Sequence, residues 1–451
     1  MVHQYKSGGY NIVLDVNSGC VHVVDDITYD IISLFEEKSE DEIIKILCGR
    51  GEDPSEVKEA FSEVSDLVRA GELFSDDIYE QLASSFKDKS NVVKALCLHI
   101  AHDCNLSCAY CFAGEGQYKG DRSLMSFDVG KRALDFLIEN SGSRVNLEVD
   151  FFGGEPLLNF GVVKQLVEYG RSREKEANKR FRFTLTTNGV LLNDEIIDFL
   201  NREMSNVVIS LDGRKQVNDL MRPFKGGRGS YDFLVPKLKK LAESRNQENY
   251  YIRGTFTRNN LDFSEDVKHF YELGFKRMSI EPVVAPSDAP YAIRQEDIPK
   301  ILSEYDRLAS FYIEKKKEDG GFTFFHFMID LSGGPCIYKR MKGCGSGSEY
   351  LAVTPWGDLY PCHQFVGEKN FLMGNVFEGI KRPDISEKFK SCGIYTRPAC
   401  RECFAKFFCS GGCAANAYNF CGDINGTYEI GCEMQRKRVE CSIMIKAALS
   451  Q

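Results

Sequence analysis

The feature that most restricts the fold of this 451-residue chain is an alternation of strand and helix patterns between residues 94 and 310. Short apolar runs predict six strands, and amphipathic segments between them predict five helices. The strands are expected at 95–100, 146–151, 182–187, 206–211, 250–256 and 277–282, and the helices at 126–141, 158–177, 193–203, 230–245 and 263–274. Repeated βα units predict an α/β fold in which helices surround a parallel sheet, either a barrel or an open part of one. Functional residues of such folds gather where the strands end.

Three cysteines follow the first of these strands in one short loop. Cys104, Cys108 and Cys111 have the spacing C-x3-C-x2-C. Three thiolates can hold three irons of a [4Fe–4S] cluster and leave the fourth iron free for a chelating ligand. The alternative is a zinc site, but structural zinc takes four protein ligands and no nearby His or Cys makes a convincing fourth. We therefore interpret the loop as an iron–sulfur site.

This loop resembles that of the radical S-adenosylmethionine (SAM) superfamily, with Tyr110 at the aromatic position before the last cysteine. The resemblance extends through residues 94–310 and implies a partial (β/α)6 barrel. Its GGEP element follows the second strand and is expected to bind the SAM amino group, since a carboxylate suits an ammonium and glycines allow close approach. The SAM-binding residues that the resemblance implies are Tyr110, Gly153, Gly154, Glu155, Pro156 and Asn188, with Ser210 and Asp212 near the ribose and Arg222 at the SAM carboxylate.

A second group of cysteines lies in the Gly- and Cys-rich segment after about residue 335. Residues 400–413 have the spacing C-x2-C-x5-C-x3-C, and Cys344, Cys362 and Cys432 lie outside this run. This set resembles the SPASM domain of radical SAM peptide-modifying enzymes, and zinc knuckles are the alternative. The resemblance implies two auxiliary [4Fe–4S] clusters, so three clusters in all. The distal cluster would be held by Cys400, Cys403, Cys409 and Cys432, and the nearer one by Cys344, Cys362 and Cys413. The eighth cysteine of the sulfatase-maturing members is missing, so either Cys336 supplies a fourth thiolate or, as we favour, one iron is open.

The N-terminal region has a different pattern. A strand hairpin over residues 10–24 is followed by helical patterns at 27–36, 40–48 and 55–70, with Gly71 as a stop. Strands combined with three helices predict a winged-helix-like module. Such modules resemble the leader-peptide recognition elements of peptide-modifying systems, which hold a leader as an added strand. The predicted organisation is module 1–75, linker 76–93, barrel 94–310, bridging region 311–335 and SPASM domain 336–451.

Composition excludes several classes of function. The formal net charge of -9 argues against nucleic acid as a partner. No apolar run is long enough for a membrane span or a signal peptide, so we expect a cytoplasmic protein without a membrane partner. Seventeen cysteines in such a chain indicate metal binding rather than disulfides. The seven outside the motifs are interpreted as small buried or inert residues, and they are Cys20, Cys48, Cys97, Cys336, Cys392, Cys421 and Cys441.

Together these resemblances imply an oxidoreductase closest to the SCIFF (six-cysteine peptide) maturases. Such an enzyme cleaves SAM reductively to a 5′-deoxyadenosyl radical, abstracts hydrogen from a ribosomal Cys-rich precursor peptide and forms a thioether from cysteine sulfur to carbon. An external one-electron donor of flavodoxin or ferredoxin type is also implied. Three alternatives stay open: an anaerobic sulfatase-maturing (formylglycine-forming) enzyme, a SPASM enzyme that forms carbon–carbon crosslinks, and an iron–sulfur regulator that binds DNA.

Overall fold

The structure is a computed structural model that describes residues 1–85, 92–331 and 337–450. Most of the described strands belong to one large sheet with helices packed around it, so the predicted α/β class is confirmed. A separate small sheet lies at the N-terminus. In the described part of the chain, no helix is both long enough and apolar enough to cross a membrane.

The N-terminal region folds as an antiparallel sheet covered by three helices. Its elements are β1 (Val2–Ser7), β2 (Tyr10–Asp15), β3 (Val21–Val24), α1 (Asp26–Leu34), α2 (Glu40–Gly49) and α3 (Pro54–Ala70), with strand order β1-β2-β3. The predicted hairpin and helices are confirmed. Gly71 ends α3 in a left-handed conformation (φ 72°). Strand β2 is buried on both faces because Val13 faces the three helices, whereas Ile12 and Leu14 join the main core.

The central region contains the six predicted strands, all parallel and in sequential order. They are β4 (Ala95–Ala101), β5 (Asn146–Gly153), β6 (Arg180–Thr187), β7 (Met204–Ser210), β8 (Tyr250–Phe256) and β9 (Arg277–Pro282). The helices, beginning with one in the predicted linker, are α4 (Tyr79–Ser85), α5 (Phe127–Asn140), α6 (Phe160–Ala177), α7 (Asp194–Glu203), α8 (Lys215–Met221), α9 (Tyr231–Ser244), α10 (Phe263–Glu272) and α11 (Ile298–Asp319). Helix α8 has no counterpart in the sequence prediction, and α11 runs through the expected end of the barrel at residue 310.

The C-terminal region extends both edges of this sheet. Strand β10 (Thr323–Phe324) pairs with β9, and β11 (Tyr350–Val353) pairs in parallel with β4. Antiparallel strands then continue from β11. The remaining elements are β12 (Asp358–Tyr360), β13 (Gly374–Asn375), β14 (Gly379–Ile380), α12 (Ile337–Lys342), α13 (Pro383–Ser391), α14 (Pro398–Arg401), α15 (Lys406–Cys409), α16 (Ala414–Cys421) and α17 (Glu429–Leu449).

The long helix α17 lies in the Gly- and Cys-rich segment, where the sequence pattern predicts no helix. It packs against α11 and also against β1 and β2, so it is covered from two directions. Its buried residues therefore do not form one stripe, and the amphipathic pattern that identifies a surface helix is missing. The same helix holds the N-terminal module in place, because Tyr5 donates a hydrogen bond to the Glu440 carbonyl (3.0 Å).

A buried ion pair also joins the residues after the N-terminal module to the C-terminal region. Lys406 Nζ lies 2.8 Å from Asp77 Oδ2, and the Lys406 side chain is only 3% exposed. Replacing Asp77 with alanine leaves that charge buried without an anionic partner and with only the Arg401 carbonyl (3.3 Å) as an acceptor, so we expect a loss of about 3–5 kcal/mol in the free energy of unfolding. Urea unfolding measures it.

Glu80→Ala is the matched control, because Glu80 pairs with Arg401 at a site where both side chains are about half exposed. Exposed pairs contribute less than about 1 kcal/mol. Equal losses in Asp77→Ala and Glu80→Ala would contradict the structural role of the buried pair.

Candidate active site

The loop after β4 brings its three cysteines together. Burial raises the pKa of the Cys104 thiol to about 11 and that of Cys108 to about 12, and both thiols lie within electrostatic range of Cys111. The loop backbone is held by the end of α8, because Ala109 N donates to the Met221 carbonyl (2.9 Å). Thiols with raised pKa values must lose protons to bind iron, so cluster assembly is coupled to proton release.

The GGEP loop after β5 lies directly against the cysteine loop. Gly154 N donates to the Ala101 carbonyl (2.8 Å), and Glu155 N donates to the Asp103 carbonyl (2.9 Å). A Cβ atom on Gly154 would lie 2.2 Å from the Asp103 oxygen. Gly153 has φ +119°, and a Cβ there would lie 2.4 Å from the Ala101 oxygen. Only glycine fits at both positions, because backbone atoms fill the space of a side chain.

Glu155 connects the ends of β5 and β6. Its carboxylate is fully buried and accepts hydrogen bonds from Leu157 N (3.0 Å), Thr187 Oγ1 (2.8 Å) and Asn188 N (2.8 Å). Two of these bonds use Oε1 and one uses Oε2, so Oε2 keeps acceptor capacity for an ammonium. Asn188 extends the connection to the cysteine loop, since its Nδ2 donates to Asn105 Oδ1 (2.7 Å).

Burial raises the pKa of Glu155 to about 7. Between its ordinary pKa of 4.5 and about 7, the folded state keeps a proton that the unfolded state releases. Stability of the protein without iron or SAM should therefore fall as pH rises through this window, by about 3 kcal/mol for this group. Urea unfolding at several pH values measures the fall. Glu155→Gln should lack this part of the pH dependence, and identical slopes in both proteins would contradict the assignment.

Three further predicted residues meet at the ends of β7 and α8. The Tyr110 hydroxyl donates to Asp212 at 2.7 and 2.9 Å, and Arg222 Nη1 donates to the Tyr110 oxygen at 2.8 Å. Burial raises the pKa of Asp212 to about 6, although Arg222 acts in the opposite direction. Tyr110 thus connects the cysteine loop to the end of β7 by hydrogen bonds. Ser210 lies at the end of β7, level with Arg253 of β8.

Unpartnered donors indicate that these residues fit SAM. Arg222 Nε and Asn105 Nδ2 are buried and have no hydrogen-bond partner in the part of the chain that the structure describes. Such donors are costly unless a ligand accepts from them. They lie beside the three thiols and Glu155, and SAM carries both a carboxylate acceptor and an ammonium. The donor set of three thiolates likewise fits a [4Fe–4S] cluster with one free iron.

The C-terminal cysteines fall into two sets. All four residues of the predicted distal set, Cys400, Cys403, Cys409 and Cys432, line one cavity. Burial is the main reason why the pKa of Cys409 rises to about 11 and that of Cys432 to about 12. In the nearer set, burial raises the pKa of Cys362 to about 12, with further contributions from Cys413 and Cys344.

The described residues do not include a clear fourth ligand for the nearer set. Cys336 lies outside the described residues. Cys392 lines a cavity together with Cys344, but its thiol donates to the Lys388 carbonyl (3.4 Å). Within the described ranges, no three His, Cys, Asp or Glu side chains converge on a position for one metal ion. Thiolates of a [4Fe–4S] cluster bind different irons, whereas a zinc ion gathers its ligands around one position.

Comparisons with known proteins indicate the family to which the central region is similar. Residues 98–280 match the model of the radical SAM superfamily. An uncharacterized protein of Methanocaldococcus jannaschii is 28% identical over 70% of this chain and 99% of its own length. A cysteine-type anaerobic sulfatase-maturating enzyme of Clostridium novyi is 23% identical over 70% of this chain and 86% of its own length. Residues 98–280 therefore form a radical SAM domain, whose superfamily implies a [4Fe–4S] cluster and SAM.

Two solved structures share the fold. That of anSMEcpe with bound AdoMet and Kp18Cys peptide has a TM-score of 0.64 at 20% identity and covers 80% of this chain and 99% of its own. That of Streptococcus suis SuiB bound to precursor peptide SuiA has a TM-score of 0.52 at 17% identity. The SuiB match covers 93% of this chain and 96% of its own. The architecture predicted from the sequence is thus confirmed at the level of fold.

Proposed function

We propose that this chain is a peptide maturase with three [4Fe–4S] clusters that forms a thioether between a cysteine sulfur and a carbon of a ribosomal Cys-rich peptide. The observation that carries the proposal is the grouping of the C-terminal cysteines. Four line one cavity, and the other three lie within electrostatic range of one another, with Cys413 also sharing a second cavity with Cys409 and Cys432. Four thiolates complete one cluster, whereas three leave an iron that can bind a cysteine of the substrate.

The residues at the strand ends of the barrel would bind the first cluster and the different parts of SAM. Cys104, Cys108 and Cys111 would hold the first cluster. The SAM ammonium would bind at the GGEP loop, which is formed by Gly153, Gly154, Glu155 and Pro156. The ribose would lie near Ser210 and Asp212, and the carboxylate would bind Arg222. Tyr110 and Asn188 would fix the loops around SAM. When bound, the cluster and SAM supply one-electron cleavage to a 5′-deoxyadenosyl radical. The protein positions the peptide carbon and excludes water.

The nearer cysteine set gives the proposed reaction its selectivity. Cys344, Cys362 and Cys413 would hold three irons, and a substrate thiolate on the fourth would be fixed within reach of the carbon that loses hydrogen. Iron stabilises the deprotonated thiol, so this site also selects cysteine over serine. Forming the sulfur–carbon bond releases one electron, which the auxiliary clusters would accept. An external flavodoxin or ferredoxin supplies the electron that cleaves SAM.

The N-terminal module offers one free edge for a leader peptide. Strand β1 lies beside α17, where His3 Nε2 is 3.0 Å from Glu440 Oε1. Strand β3 lies at the other edge of the sheet and pairs only with β2 among the described strands. Val23 on β3 is 48% exposed. An extended leader could therefore add to β3 by backbone hydrogen bonds.

Mass spectrometry of the product tests this proposal. The anaerobically reconstituted protein is incubated with SAM, a reductant and the Cys-rich peptide encoded next to it. We expect the loss of two hydrogens per crosslink and a fragmentation gap between the joined residues. Cys344→Ala should lose about four irons and the crosslink but keep cleaving SAM. Cys421→Ala, an exposed cysteine outside both sets, should behave as wild type. An unmodified peptide would refute the thioether reaction.

Formylglycine formation is the second candidate, because the chain is similar to cysteine-type anaerobic sulfatase-maturating enzymes over most of their length. A peptide with a sulfatase-type cysteine motif distinguishes the two. Formylglycine carries an aldehyde that a hydrazide probe labels, whereas a thioether product stays unlabelled. Labelling of that peptide together with no change in the Cys-rich peptide would establish the second candidate.

A further inference from the structure

Arg253 is a cation on the inner face of the sheet. In β8, its neighbours Ile252 and Gly254 are buried toward the outer helices, whereas Arg253 is exposed on the opposite face. It is level with Ser210 of β7 and Ser279 of β9. This position is near the strand ends where the SAM residues gather. A charged side chain at the centre of a parallel sheet is uncommon, because both faces are normally apolar.

Asp150 and Glu281 lie within electrostatic range of Arg253, but no acid of the described chain forms an ion pair with it. Its side chain forms no hydrogen bond and no ion pair with any residue in 1–85, 92–331 or 337–450, and the acids around it have other partners. Asp150 Oδ1 accepts from Thr184 (2.9 Å), and burial raises the pKa of Asp150 to about 6. Glu281 lies 3.1 Å from His326 Nε2 and 3.9 Å from Arg438 Nη2.

Two histidines, His326 and His363, lie within electrostatic range of Arg253. Burial lowers the pKa of His363 to about 4, and burial together with Arg438 lowers that of His326. Besides the buried Arg438, a fixed positive charge in this part of the interior is the guanidinium of Arg253, which is exposed to a ligand. Its planar fork of N–H donors matches a carboxylate, which it can bind through two parallel hydrogen bonds.

We propose that Arg253 is a carboxylate-binding residue of the reaction chamber. The proposal rests on the proposed function, because it deepens the description of the same site. The carboxylate has two sources: the amino-acid end of SAM, or an acidic side chain of the peptide near the reacting residue. Arg222 donates to Tyr110 through Nη1 and keeps its unpartnered Nε for the SAM carboxylate, so Arg253 would bind that carboxylate as a second guanidinium or bind one of the peptide.

Binding measurements on the reconstituted protein separate these sources. The variants are Arg253→Gln, which removes the charge, and Arg253→Lys, which keeps it without the fork. Arg182→Gln is the matched control, because Arg182 is an exposed arginine near the opposite end of β6. Isothermal titration uses SAM, decarboxylated SAM, the Cys-rich peptide and the same peptide with its carboxylates methyl-esterified.

Loss of a charged hydrogen-bonded pair should weaken binding by about 10- to 100-fold. If SAM is the source of the carboxylate, Arg253→Gln weakens the binding of SAM but not that of decarboxylated SAM. If the peptide is the source, Arg253→Gln weakens the binding of the native peptide but not that of the esterified peptide. SAM binding and peptide-free SAM cleavage then stay unchanged. Unchanged affinity for both native ligands would overturn the proposal. A wild-type protein that binds both ligands but makes no crosslink would instead refute the proposed function.

Discussion

Replacing Cys108 with alanine should remove one cluster and abolish SAM cleavage. Cys108 is one of only three thiols in the loop after β4, and it lies within electrostatic range of Arg222 and Asp212 in the SAM-binding region. Iron content should fall from about twelve to about eight per chain, because the auxiliary sets are separate. Formation of 5′-deoxyadenosine should fall below detection, because SAM has no iron to chelate.

The control for this prediction is Cys48→Ala, a cysteine of α2 in the N-terminal module that belongs to none of the three sets. This variant should keep the iron content and the rate of SAM cleavage of the wild type. Electron paramagnetic resonance of the reduced proteins provides a second measurement, since Cys108→Ala should lose only the signal that SAM perturbs. A Cys108→Ala variant that still forms 5′-deoxyadenosine would contradict the assignment of this loop.

Replacing Gly154 with alanine should separate the GGEP loop from the cysteine loop. The added Cβ would lie 2.2 Å from the oxygen and 2.7 Å from the carbonyl carbon of Asp103. These are backbone atoms, so one of the two loops has to move. We expect a loss of about 1–3 kcal/mol in the free energy of unfolding and a large loss of SAM affinity, which urea unfolding and isothermal titration measure.

Gly161→Ala is the matched substitution for Gly154→Ala. Gly161 lies in the first turn of α6, and nothing is within 4 Å of its Cβ position. Alanine there should be neutral or stabilise the protein by up to about 1 kcal/mol, because it restricts the unfolded chain. If both variants bound SAM as the wild type does, the close approach of the two loops would not be required for the site.

The sequence was sufficient to predict the repeating βα part of the fold. Strands β4 to β9 and the helices between them have a regular hydrophobic period, and the cysteine spacings point to the loops that the structure brings together. Other elements lacked such a signal. Helix α8 is only seven residues long, and α17 is covered from two directions, so its apolar residues do not form a stripe.

Side-chain partners were the least predictable part of the site. A GGEP motif indicates close backbone approach, but it does not reveal that Glu155 bridges two strands through three hydrogen bonds. The contact of Tyr110 with Asp212 and Arg222 joins residues about a hundred positions apart. Arg253 carries no motif at all. The alternation in β8 places it inward, but only the structure shows that the surrounding acids have other partners.

An iron and sulfide count, combined with an anaerobic SAM cleavage assay on the reconstituted protein, tests the barrel cluster and the two auxiliary clusters together. The account predicts about twelve irons per chain and 5′-deoxyadenosine that depends on a reductant. About four irons with 5′-deoxyadenosine would leave only the barrel cluster and contradict the role of the C-terminal cysteines. About four irons without 5′-deoxyadenosine would contradict the account of the active site as a whole.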